Sequence, residues 1–198
     1  MSPERLTSQR TRADLLEAAV ACLGESGYGR LSTRAVAERA GVPVSQIHYH
    51  FGGKDGLLLA VLEQQNEQLL RRQRGMYGAE KTLSERWMQA CDYLEDDLAS
   101  GYVRVLQELI AVGWSDADVA AAVGRQLTAW ADLLTTVAEE AAASLRFDGL
   151  APRHVAVLVG CAFLGAEELE LLGLGTTIEA VDALRAVGEL IRTAEEAG

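Results

Sequence analysis

Residues 30–54 read RLSTRAVAERAGVPVSQIHYHFGGK. Two short segments, 32–40 and 43–51, meet at Gly41. Ala35 and Val36 give the first segment an inward side, and Ala40 keeps the bend small. Gly41 can adopt the φ > 0 conformation that a tight turn requires. Val42 and Ile47 plug the space between the segments, which leaves Val44, Ser45, Gln46, His48 and Tyr49 on or near the outer side. Pro43 suits a first helical turn. This is helix-turn-helix geometry, in which the second helix can lie in a DNA major groove. Such short helices need a third to pack on. Leu15, Leu16, Ala19, Cys22 and Leu23 recur at i, i+1, i+4, i+7 and i+8, which is one helix face, closed by Gly27 and Gly29.

Charge supports this reading of the N-terminal part. The 198-residue chain has a formal net charge of -11, which taken alone argues against nucleic acid. The charge is uneven. Residues 1–54 hold seven Lys/Arg and five Asp/Glu, whereas 55–198 hold eleven and twenty-four. Within 30–54 there are four basic residues, one acid, and His48 and His50. A basic head on an acidic body suits a head that meets phosphate.

The rest of the chain reads as helix. Hydrophobic residues make up 49%, proline occurs three times, and Ala and Leu outnumber the β-branched residues. A helix from about 55 to 74 carries Leu57, Leu58, Val61, Leu62 and Leu69 on one face and ends at Gly75 and Gly78. Thr82 with Glu85, Ser115 with Asp118, and Thr176 with Glu179 fit capping boxes, giving starts near 82, 116 and 177. Ser100-Gly101 separates two helices, and Val119, Val123, Leu127, Trp130, Leu134 and Val137 stripe a long one. Residues 147–152 read as a loop before a very apolar helix opened by Pro152. The expectation is an all-α chain of about nine helices: a three-helix head over 1–54 and a helical body over 55–198.

Several classes fall away. Cys22, Cys91 and Cys161 are odd in number and form no CxxC pair, so they read as small buried thiols in a reducing compartment. The longest apolar stretch, 155–166, stops at Glu167 and Glu168 and is too short to cross a bilayer. No signal peptide is evident, and the chain reads as cytoplasmic. His48 and His50 are two apart, not the i, i+4 pair that a metal site wants, and His154 is remote. There is no GxSxG, P-loop or GxGxxG. No catalytic residue, metal or cofactor is expected. Glu195-Glu196 reads as a solvated helix face.

The segment resembles the DNA-binding domain of TetR/AcrR-family transcriptional regulators. The matching pieces are Ser32-Thr33, AERAGV over 37–42, Ile47, Tyr49-His50-Phe51 and Lys54, with the preceding helix and Gly27-Tyr28. The strong resemblance covers residues 10–62. Many family members have Ser or Thr where Pro43 stands, and tyrosine where His48 stands, so base preference does not carry over. The resemblance implies phosphate contacts from Thr33, Tyr49, His50 and Lys54. Val44, Ser45, Gln46 and His48 are the candidates for base edges: Gln46 could pair bidentately with adenine, and Val44 could meet a thymine methyl. Arg5, Arg10 and Arg12 are read as a flexible arm or solvated tail.

The resemblance also implies a homodimer on a palindromic double-stranded operator, through two terminal helices of about 153–172 and 177–195. In the first, Gly160, Ala162, Gly165 and Ala166 permit close approach. In the second, Val181, Leu184, Val187, Gly188 and Ile191 form a stripe. It further implies a small-molecule effector, largely apolar, that releases the DNA. Candidate lining residues are Trp87, Met88, Cys91, Leu106, Leu109, Ile110, Trp114, Leu127, Trp130, Leu134, Phe163 and Glu167, since Trp and Met give area and adaptable shape. The expected function is that of a ligand-responsive regulator, most readily a repressor. The alternative is a helical dimer that binds ligand or protein without reading an operator.

Overall fold

The computed structural model describes residues 3–77, 80–145 and 149–197. Among them are ten α-helices and no strand. In chain order these are α1 (Pro3–Ser26), α2 (Thr33–Arg39), α3 (Ser45–Phe51), α4 (Lys54–Tyr77), α5 (Leu83–Ser100), α6 (Tyr102–Gly113), α7 (Ala117–Leu145), α8 (Pro152–Leu171), α9 (Gly175–Ile178) and α10 (Ala180–Ala197). A 3-10 turn, Tyr28–Arg30, follows α1. The expected stop at Gly78, and Phe147 and Asp148 of the expected loop, lie outside the described residues. No helix among the described residues is long and apolar enough to cross a membrane.

The chain divides into two compact units, residues 1–66 with 100–123, and residues 67–99 with 124–198. In the first, Leu15, Leu16, Ala19, Cys22 and Leu23 of α1 are buried, as the periodicity predicts. Val36, Ala37 and Ile47 of the two short helices are buried, and so are Leu57, Leu58, Val61 and Leu62 at the start of α4. Val103, Leu106 and Leu109 of α6 and Val119 of α7 are also buried in this unit. At Gly56, close approach decides the residue: a Cβ there would land on the Phe51 carbonyl oxygen. That contact sets where α4 leaves α3.

In the second unit Cys91, Leu94, Phe163, Ala166 and Leu184 form a buried cluster, with Trp87, Leu98, Trp130, Val159 and Val181 packed against it. The Trp87 ring meets Phe163 edge-on at 5.7 Å, and its Nε1 donates to the Leu184 carbonyl at 2.6 Å. A Cβ on Gly188 would lie 2.7 Å from Met88 Sδ, so glycine lets α10 seat against α5.

The Thr82–Glu85 box forms: Thr82 N donates to Glu85 Oε2 at 2.9 Å, and Glu85 N to Thr82 Oγ1 at 3.2 Å. The two amides between them, on Leu83 and Ser84, donate to Glu195 Oε1 at 2.6 and 3.3 Å. Glu195 is therefore a remote cap for α5, not the solvated face residue that its sequence suggests. At α7 the cap is Asp116, whose Oδ1 accepts from Asp118 N and Val119 N at 3.0 Å each, whereas the Ser115 hydroxyl donates back to Val112 O. The Thr176–Glu179 box does not form. Glu179 turns to φ 58 and ends the short α9, so the expected last helix is split and its main part starts at Ala180.

Part of the stripe expected to face a partner turns inward instead. Leu184 and Gly188 are buried against this chain's own α5, and Val181 packs into the cluster. Val187 of that stripe does face solvent, as do Leu190 on α10 and Val157, Leu158 and Cys161 on α8. Cys161 is thus exposed, unlike Cys22 and Cys91.

Candidate nucleic-acid interface and ligand cavity

Ser32, not Thr33, caps α2: its Oγ accepts from Ala35 N at 3.1 Å. Thr33 is the first helical residue and is half-buried. The turn closes as its residue types dictate. Gly41 takes φ +67, and Val42 N donates to Ala37 O at 3.0 Å. Pro43 and Val44 open the next turn by accepting from Gln46 N and Ile47 N at 3.0 Å each, so α3 proper starts two residues after the proline.

Ile47 is fully buried and fixes the rotation of α3. The residues i−3, i−2, i+1 and i+2 from it, namely Val44, Ser45, His48 and Tyr49, are exposed. Tyr49 is 76% exposed, which is unusual for an aromatic side chain unless something meets it. Gln46 is half-buried. His50 is half-buried between Tyr49, at 4.9 Å and edge-on, and Phe51, at 6.1 Å. Lys54 is half-buried at the first position of α4, after Gly52 and Gly53 with φ 75 and 148.

Not every basic residue of the head points outward. Arg39 forms a two-pronged pair with Glu25, at 2.5 and 2.8 Å, and its Nη1 also approaches Cys22 Sγ at 3.6 Å. Those bonds hold the Glu25 carboxyl below the usual range. Arg39 thus ties α2 to α1. The N-terminal residues are not a loose arm: Arg5, Arg10 and Arg12 belong to α1, and Arg12 lies over the Phe51 ring at 5.2 Å. Sequence reading passed over Arg34, exposed in the first turn of α2, and over Thr7, Ser8 and Thr11, which face Gln46 and Tyr49 across an open hollow. The helical extension of α1, which carries no apolar stripe to announce it, brings them there.

The second unit contains a cavity of about 280 Å³. Its walls come from Tyr77, Leu83, Arg86, Trp87 and Ala90, from the alanine-rich stretch 134–142 of α7, from 155–159 of α8, and from Val187 and Ile191 of α10. Trp87 and Leu134 of the expected lining residues stand on this wall. Cys91 and Phe163 lie in the buried cluster with Trp130 against it, and Met88 faces a separate open groove. Leu106 and Leu109 are buried in the other unit, where Ile110 is half-buried and Trp114 is 84% exposed. Leu127 is half-buried and Glu167 buried, and neither borders the cavity. Burial pushes the Tyr77 phenol up to about 12, although Arg86 nearby draws it down. Burial likewise pushes the Cys91 thiol up to about 11.

Fold and surface together define an all-α protein with a helix-turn-helix head. Residues 15–61 match the family model "Bacterial regulatory proteins, tetR family". Over 75 residues it is 32% identical to the HTH-type transcriptional regulator BetI of Brucella anthropi. That match covers 38% of this chain and 39% of the relative. Two solved structures share the fold over nearly the whole length. One is the transcriptional regulator FadR of Bacillus subtilis in complex with stearoyl-CoA: TM-score 0.70, 17% identity, 90% of this chain and 96% of that one. The other is a protein from Saccharomonospora viridis described as a transcriptional regulator, in complex with choline: TM-score 0.72, 18% identity, 90% and 93% coverage.

Proposed function

We propose that this chain is a ligand-responsive transcriptional regulator, acting in the cytoplasm as a repressor. In this reading two copies bind a palindromic operator, and a small, largely apolar effector releases it. The observation that carries the reading is the face of α3. Ile47 anchors one side, and Val44, Ser45, His48 and Tyr49 stand free on the other. That is the arrangement a major-groove helix needs. Base edges fall to Val44, Ser45, Gln46 and His48, and phosphates to Thr33, Tyr49, His50 and Lys54. Residues 1–54 are the DNA-binding domain and 55–198 the effector and dimer domain.

Dimerisation is supported by the apolar surface of α8 and α10. Leu158 is 60% exposed and Leu190 70%, with Val157, Cys161, Ala162 and Val187 also exposed. Exposed apolar residues of this kind cost free energy in water until something covers them, and a second copy is the economical cover. Effector response is supported by the cavity and by the ligands that FadR and the Saccharomonospora protein hold. A ligand that fits one conformation of the cavity better shifts the population toward it, and DNA affinity follows.

The test is selection of bound sequences from a random DNA library by the purified full chain at two salt concentrations. An enriched palindrome whose binding falls steeply with salt supports the reading. No enrichment at either salt, from folded dimeric protein, would favour a ligand- or protein-binding module instead.

A further inference from the structure

We propose that the cavity takes an uncharged, hydrocarbon-rich molecule of about 10–12 non-hydrogen atoms, and rejects acids and amines built on the same body. The proposal rests on the effector reading of this cavity and adds the charge and the size of the occupant. Apart from Tyr77, Arg86 and Trp87, the described wall is built of Leu, Val, Ile and Ala. Whichever atoms of those side chains meet the space, they are hydrocarbon. Such a surface binds by area and selects against polar bodies.

The polar groups of these wall residues already have partners in the fold. Trp87 Nε1 donates to the Leu184 carbonyl at 2.6 Å. Arg86 Nη1 donates to Glu140 Oε2 at 2.9 Å, and Glu140 is not a wall residue. At the start of α5 the Leu83 amide donates to Glu195 Oε1 at 2.6 Å. Wall residues in helix interiors bond their backbone groups along the helix. Tyr77 holds a phenol that burial raises to about 12, so it is neutral at pH 7. No carboxylate stands on the described wall, and Glu167, which α8 buries, lies off it. An anion would have to take Arg86 from Glu140, and a cation would find no counter-charge among the described wall residues.

Volume sets the size of the occupant. A dry apolar cavity of about 150 Å³ holds one benzene ring, so the 280 Å³ found here takes about twice as many carbon atoms. Charge sets the selectivity. Stripping the water from an ion without supplying a partner costs more than the apolar body gains on burial. An acid or an amine escapes that cost only by entering in its neutral form. Its apparent affinity then falls by the fraction of the ligand that is neutral. For a carboxylic acid at pH 7 that fraction is on the order of 1 in 100, and for an alkylammonium it is smaller still.

Calorimetry on the full chain without DNA tests this with one hydrocarbon cage in three charge states: adamantan-1-ol, adamantane-1-carboxylate and 1-adamantylammonium. Decan-1-ol serves as a flexible neutral body of similar size. At pH 7 adamantan-1-ol should bind on the order of 100-fold tighter than the carboxylate, and the ammonium should bind weakest. Lowering the pH by one unit should tighten the carboxylate about tenfold and leave the alcohol unchanged. Ala138→Leu adds a larger side chain to the α7 wall, where Ala138 is buried. It should weaken both alcohols at least about tenfold while the thermal midpoint holds or rises. Should that variant fail a folding check, Ala90→Leu fills the same space from α5. Carboxylate binding as tight as the alcohol, carboxylate binding that ignores pH, tighter binding of the ammonium, or binding of neither alcohol overturns the proposal. Alcohol binding that survives the filled cavity overturns it too. If adamantan-1-ol binds with the expected preference but leaves DNA affinity unchanged, the effector reading fails while the ligand class stands.

Discussion

Glu195→Ala is expected to destabilise the second unit by about 2 kcal/mol, a figure assembled from three hydrogen bonds. The carboxylate accepts from the Leu83 and Ser84 amides and, at 2.5 Å, from the Ser84 hydroxyl. Loss of a capping acceptor costs about 1 kcal/mol, and loss of a negative charge at a helix N-terminus adds about 0.3–1. Ser84 is 7% exposed, so its hydroxyl would lose a partner in a nearly dry place, at about 1 kcal/mol. Thr82 Oγ1, 3.0 Å from Ser84 Oγ, takes up part of that last loss, which brings the total to about 2. The control is the neighbouring Glu196→Ala. Glu196 is exposed and pairs with Arg192 at 2.6 Å, so its removal should cost less than about 0.5 kcal/mol. Equilibrium urea unfolding at neutral pH, with the slope compared between variants, measures both. If Glu195→Ala costs no more than Glu196→Ala, then α10 does not cap α5, and the tie between those two cavity walls is an accident of surface packing.

Gly56→Ala puts a methyl group against the Phe51 carbonyl, so α4 or the end of α3 must move; a loss of about 1–3 kcal/mol and weakened DNA binding are expected. A thermal melt matching the parent would refute the close approach. Cys161 tests the dimer surface: maleimide should label it quickly at dilutions where the chain is monomeric and slowly where it is dimeric, with buried Cys22 and Cys91 slow throughout. A Cys161 rate independent of protein concentration would remove α8 from the interface. Asp97 offers a pH test. Burial raises its carboxyl above the usual 3.8, against the Arg72 pair at 2.5 Å, which lowers it. A raised folded value means that this group favours the fold below its unfolded pKa and loses that contribution as pH rises through the folded one. Asp97→Asn, which cannot ionise, should therefore gain stability relative to the parent between about pH 3 and pH 7, measured by urea unfolding. A gap that narrows over that range contradicts the burial of a charged Asp97.

The head was legible because its residues state their own constraints. Gly41 marks a positive φ, Ile47 is the one aliphatic residue in 45–50, and the i, i+4 face of α1 supplies the surface that the short helices need. Capping was legible where both partners lie within one turn, as at Thr82 and Glu85. It was not legible at Glu195, because its partners are more than a hundred residues away and the local pattern, EE near the end of a helix, is that of a solvated face. Thr176 and Glu179 failed for the opposite reason. The local pattern was right for a box, but Glu179 adopts φ 58 and ends α9, and a spacing rule carries no information about that backbone choice.

The cavity shows a more general limit of reading side chains as pocket material. Trp, Met and Phe attract attention because they supply area, yet large residues in a helical bundle fill space. Phe163 and Trp130 do so here, around Cys91 and Leu184. The void lies where volume is missing, along Ala138, Ala141 and Ala142 of α7, Ala90 of α5 and Ala156 of α8. In sequence those alanines signal only helix propensity. They become a wall when the stripe of Leu134 and Val137 turns them toward Val187 and Ile191 on a helix fifty residues later.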